Sequence, residues 1–71
     1  MDDQQEVSML SDEATNIGAT KIERDINWTW AYFPTLKKAE AFIKVIDEAN
    51  REHSGIYNPY NTGISWGVRF R

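Results

Sequence analysis

From residue 21 to residue 33 the chain alternates strictly. Ile22, Ile26, Trp28, Trp30 and Tyr32 share one parity, interrupted by Arg24, and Glu23, Asp25, Asn27, Thr29, Ala31 and Phe33 share the other. A period of two carried by β-branched and aromatic residues predicts a half-buried strand. Pro34-Thr35 ends it: proline holds Phe33 extended, and Thr35 is placed to cap the free amides of a helix. Apolar residues then fall at 36, 39, 42, 43, 46 and 49, with Val45 at the margin. That is helical spacing, and it predicts a helix over about 35–53 with Gly55 as its stop. Glu40–Lys44 and Asp47–Arg51 are acid-before-base pairs four apart on its outer face.

Ile56 and Tyr57 can form a brief strand before a turn-rich segment that runs to Gly63. Ile64, Trp66, Val68 and Phe70 then alternate with Ser65, Gly67, Arg69 and Arg71 in a last strand. The order β-α-(β)-β, with the helix stripe covering the even-numbered face of both long strands, predicts a two-layer α+β fold. One amphipathic helix packs on a sheet of two or three strands. The last strand is expected to leave an open edge, a template for a strand from another chain.

Residues 1–20 hold no aromatic residue and are rich in Asp, Gln, Ser and Thr. The stretch from Val7 to Ala14 can form a turn or two of helix, but isolated helices this short are marginal in water. The expectation is a flexible, disordered acidic N-terminal tail over 1–20 and a small domain over 21–71. The domain should fold equally well with the tail removed.

Seventy-one residues set the limit at one domain with a small core, which rarely supplies more than about 3–5 kcal/mol. With no cysteine and one histidine, neither a disulfide nor an ordinary zinc site can be assembled, and no metal or cofactor is expected. Added support is expected from a partner surface, either another protein or a second copy in a homodimer. The net charge of −3 is asymmetric. The first twenty residues contain five acidic and no basic side chains, whereas residues 21–71 contain eight basic and six acidic ones. The low pI therefore belongs to the leader. No stretch approaches the roughly 20 apolar residues of a membrane span. The opening Met-Asp-Asp-Gln-Gln-Glu is acidic where a secretory leader is basic, so an intracellular, cytoplasmic protein is expected.

No catalytic residue is assigned, and an enzyme is not expected. Covalent or acid–base catalysis needs a nucleophile, a base and an orienting group in one pocket. His53 falls at the predicted helix C-terminus, where exposed carbonyls favour a charged imidazole. Glu23 and Asp25 read as cross-strand partners of Arg69 and Arg71. The nine aromatic residues are more than one helix over a small sheet can bury. Trp28, Trp66, Phe42 and Phe70 are assigned to the core, and partial exposure is expected for Trp30, Tyr32, Tyr57 and Tyr60. Exposed Trp and Tyr beside Arg make up binding hot spots, and single-stranded nucleic acid stacks on the same residues. Trp30, Tyr57, Tyr60, Arg69 and Arg71 are therefore the candidate partner contacts. Placing the aromatics on the helix side of the sheet argues against an RNA-reading platform.

The stretch Trp30-Ala-Tyr-Phe-Pro-Thr-Leu-Lys-Lys-Ala-Glu-Ala-Phe42 is a strand ending in an aromatic, a threonine cap and a helix with alanine inside. A second strand ending in basic residues follows. In this pattern residues 21–71 resemble small phage-encoded host-takeover and inhibitor proteins built from one helix on a small sheet. The resemblance implies a protein that acts by binding a host enzyme or complex, and it carries no residue over. The expected function is a non-enzymatic protein-binding module. The alternatives are a nucleic-acid-binding module that uses the loop tyrosines and C-terminal arginines, and a subunit of a larger assembly.

Overall fold

The computed structural model describes residues 3–58 and 63–71. Its elements are α1 (Asp3–Ile17), β1 (Lys21–Arg24), β2 (Thr29–Phe33), α2 (Leu36–Glu48) and β3 (Trp66–Phe70). The strands form an antiparallel sheet in the order β1-β2-β3. Both helices pack on one of its faces, so the fold is α+β in two layers, with one helix more than the periodicity suggested. No helix among the described residues is long and apolar enough to cross a membrane.

The acidic leader departs from the expectation of a disordered tail over 1–20. Residues Asp3–Ile17 are helical, and Leu10 and Ala14 are buried in the core, with Val7 and Ile17 packed beside them. These four residues recur at three- and four-residue steps, so one narrow stripe of an otherwise polar helix finds apolar cover. Tertiary burial supplies what intrinsic propensity does not. At the end of α1, Gly18 takes φ 123°. The Gly18 N–H donates to the Thr15 carbonyl and the Ala19 N–H to the Ala14 carbonyl, which closes the helix and satisfies two carbonyls of its last turn.

The alternating segment 21–33 is two strands instead of one. It folds back at Asp25–Trp28, where the Asp25 N–H donates to the Trp28 carbonyl at 2.8 Å. Ile26, read as a buried strand residue, is 93% exposed at the tip. The register then decides the faces. Ile22 pairs with Ala31, and Ala31 pairs with Val68, so odd positions of β2 share a face with even positions of β1 and β3. Thr29, Ala31 and Phe33 lie under the helices, and Trp30 and Tyr32 lie on the other side. This reverses the expected orientation of β2. The small Ala31 and Ala39, both fully buried, sit where the helical layer meets the sheet, a place with little room for Trp30 or Tyr32.

The core is built from Phe33, Phe42, Ile46, Val68 and Phe70 with the buried residues of α1. The Phe42 ring meets Phe33 at 5.4 Å and Phe70 edge-on at 5.2 Å. Thr35 caps α2 as expected, its Oγ1 accepting from the Lys38 N–H at 3.2 Å. The helix ends earlier than expected. Asn50 adopts φ 58°, its N–H donates to the Asp47 carbonyl, and the Arg51 N–H donates to the Ile46 carbonyl. Asparagine tolerates the left-handed turn that ends a helix, and here it stops α2 five residues before Gly55.

The expected open edge of the last strand is covered. The chain returning from α2 runs along β3 with isolated bridges at His53–Phe70 and Tyr57–Gly67. Backbone bonds from Ser54 to Arg69 and from Arg71 to Glu52 reinforce it. A strand from another chain would have to displace this segment to pair with β3, and among the described residues β1 is the strand paired on one side only.

Candidate functional site: the sheet face opposite the helices

The face turned away from both helices carries the aromatic–arginine cluster. Trp30 and Tyr32 project from it in successive outward positions of β2, with ring centroids 5.9 Å apart and planes 11° from parallel. Tyr57 joins them through the bridge to Gly67: the Tyr57 N–H donates to the Gly67 carbonyl at 2.8 Å, and its ring centroid lies 5.6 Å from that of Trp30. Gly67 lies across from Tyr32 in the register and leaves the space that the rings occupy.

Arg69 pairs with Trp30 across the strands. Its guanidinium stands 4.5 Å from the Trp28 ring centre and 6.0 Å from that of Trp30. Cations held over aromatic faces are attracted by the ring quadrupole, by about 0.5–1 kcal/mol where exposed. Arg71 stands 4.2 Å from Trp28 and bonds Glu52 through Nε at 2.8 Å. The hydrogen bond from Arg71 holds the Glu52 carboxyl below its ordinary range. Among the described residues no carboxylate pairs with Arg69, so its charge is the one a partner's acceptor meets without breaking an ion pair.

The sequence-based site residues are thus divided. Trp30, Tyr57 and Arg69 come together on one face, and Arg71 lies one step further along, held by Trp28 and Glu52. Tyr60 lies outside the described residues. Tyr32 and Trp28 belong to the cluster but were not among the candidates, and Trp28 was assigned to the core. The signal that finds them is Gly67, a small residue inside a strand, which marks a place where large neighbouring side chains cross the sheet.

Two of the cations near the face are already paired: Lys21 is bonded to Glu23 within its own strand, and Arg71 to Glu52. The expected cross-strand neutralisation of Glu23 and Asp25 by the arginines does not occur, because β2 separates β1 from β3. Beside Trp28, at the end of the sheet, a cleft of about 510 Å³ is lined in part by Arg24, Arg51 and Arg71. Arg24 reaches Ser8 Oγ at 3.3 Å and Arg51 bonds Glu6 at 2.8 Å, so these arginines tie α1 to the sheet end.

His53 sits beyond the helix end, away from the rings. Its Nε2 lies 2.7 Å from Asp47 Oδ1 and its Nδ1 2.7 Å from the Ser54 carbonyl oxygen. Two acceptors favour the imidazolium, and the bond to the Ser54 carbonyl, aided by Asp47, raises its pKa. Asp47 therefore engages His53, and Arg51 engages Glu6, instead of the helix-surface pairing expected between them. Among the described residues no group of three His, Cys, Asp or Glu side chains is placed to hold a metal ion. Comparison of the chain with protein-family models, with curated proteins and with solved structures returns no match in any of the three.

Proposed function

We propose that this chain is a non-enzymatic protein-binding module that docks the face of its sheet opposite the helices on a larger partner. The observation that carries the reading is the clustering of Trp30, Tyr32, Tyr57 and Arg69 on the face that neither helix covers. Trp, Tyr and Arg are the residues on which interface energy concentrates, and rigid rings lose little side-chain entropy on binding. The cluster is also pre-organised: its rings are already stacked and its arginine already seated, which lowers the ordering cost of association. Occupying the partner's surface is enough to inhibit it, which is the mode of action the sequence resemblance implies.

One observation favours a second reading, a single-stranded nucleic acid stacked on Trp30 and Tyr32. Rings on the sheet face opposite the helices are where such proteins carry their stacking platform, so the earlier argument against it falls with the reversed orientation of β2. Charge weighs the other way. Phosphate binding depends on an excess of Lys and Arg, whereas here Lys21 and Arg71 are already bonded to Glu23 and Glu52 and the chain carries a net charge of −3. The two readings separate in one experiment. The tagged full chain is used to capture partners from a lysate with and without nuclease, at low and high salt. The protein-binding reading expects a stoichiometric protein that survives nuclease. Complete loss of captured material on nuclease treatment, with a steep salt dependence, overturns it in favour of nucleic acid.

A further inference from the structure

The helical layer carries a second feature that the sheet face does not explain. Between α1 and α2 runs a groove of about 490 Å³ whose apolar wall comes from Met9, Leu10, Val45 and Ala49. Met9 is 55% exposed there and presents its thioether to the groove. The rim of the groove is acidic, formed by Glu6, Glu13 and Glu48, and among the described residues no basic side chain lines it. Glu6 is neutralised by Arg51, but among the described residues no cation pairs with Glu13 or Glu48. The rest of α1 adds to this field, since the sequence over Asp3–Ile17 contains no Lys or Arg.

We infer that this groove is a docking site for a basic amphipathic helix supplied by a partner. An inter-helix groove accepts a third helix by interdigitation of side chains, and apolar anchors at helical spacing recognise an apolar channel of this kind. Methionine suits such a surface because its unbranched thioether adapts to the side chains laid on it. Charge complementarity selects the occupant. Lys or Arg flanking the apolar stripe of the incoming helix would meet Glu13 and Glu48, whereas an acidic helix would meet uncompensated repulsion. The site is separate from the sheet face and does not depend on what binds there.

The test uses the isotopically labelled full chain and a synthetic leucine–lysine peptide of helical repeat, with its leucine–glutamate twin as the control. Shifts of the Met9 methyl and of the Val45, Glu48 and Ala49 amides are expected with the lysine peptide and not with the twin. Glu13→Lys with Glu48→Lys should weaken binding at least about tenfold, the factor that 1.4 kcal/mol represents. Both side chains are exposed, so the double variant keeps its fold, and unchanged core resonances check this. Equal binding of the two peptides would overturn the inference. So would shifts confined to Trp30, Tyr32 and Tyr57, or no shift with either peptide.

Discussion

The Tyr32 ring rests directly on Gly67. A methyl group at position 67 would lie 3.0 Å from Tyr32 Cε1 and 3.1 Å from Cδ1, tight enough that the ring must give way by a few tenths of an ångström. The glycine is what allows two large rings to cross a three-stranded sheet beside each other. Gly67→Val is therefore expected to displace Tyr32 and to destabilise the domain by about 1–3 kcal/mol, as overpacking does elsewhere. Near-UV circular dichroism should lose part of its aromatic signal. In a double-mutant cycle, Tyr32→Ala should recover part of the loss; simple additivity would contradict the contact.

Residues of α1 belong to the core. Leu10→Ala should cost about 2–5 kcal/mol, comparable with the whole net stability of about 3–5 kcal/mol that a core of this size supplies. Removing residues 1–20 should abolish the cooperative transition in urea. A truncated chain that melts like the full one would show that α1 is not part of the domain.

Asn50 ends α2 at φ 58°. Alanine is strained in that conformation and glycine is not. Asn50→Ala is expected to lower stability by about 1 kcal/mol, and Asn50→Gly to hold it within about 0.5 kcal/mol. Thermal melts of the two variants side by side decide the matter, and identical melts would contradict the capping role.

The imidazole of His53 carries the expected pH dependence. Its pKa is raised in the folded chain, chiefly by the bond to the Ser54 carbonyl and then by Asp47. A raised pKa means that the folded state binds the proton more tightly than the unfolded one. The stabilisation is complete below the ordinary imidazole pKa of about 6.5 and is lost as pH rises through the higher folded value. The melting temperature should therefore fall across roughly neutral pH, and His53→Gln should flatten that slope. NMR titration of the ring gives the pKa directly, and a value at or below the ordinary one would contradict the geometry.

Local chemistry was readable from the chain, and long-range geometry was not. Pro34-Thr35 announces the start of α2, and the apolar stripe through Ala39, Phe42 and Ile46 announces its buried face. Each follows from neighbours within one turn. Which face of β2 is inward depends on a partner strand. Alternation shows that Trp30 and Ala31 point to opposite sides, but only the register with Val68 shows which side faces the helices. The bulky residues looked like the core, yet the helical layer takes alanine where it approaches the sheet. The leader failed for a related reason. Composition measures the average polarity of α1, whereas its stability comes from Leu10 and Ala14, whose burial only the folded chain provides. Of the site, the aromatic and arginine members were legible by residue type. Their convergence was not, because it follows from the turn at Asp25–Trp28 and from the return of Tyr57 alongside Gly67.

The central claim is that the face of the sheet opposite the helices is the binding surface, and the Tyr57→Ala, Arg69→Ala double variant tests it most directly. Tyr57 is 45% exposed and Arg69 is half-buried with its guanidinium against Trp28 and Trp30, so a melt first checks that the variant keeps its fold. Affinity for the captured partner should fall at least about a hundredfold, the loss expected when two hot-spot side chains of about 2 kcal/mol each are removed. Unchanged affinity in a folded double variant would contradict the account and move the binding surface elsewhere on the molecule.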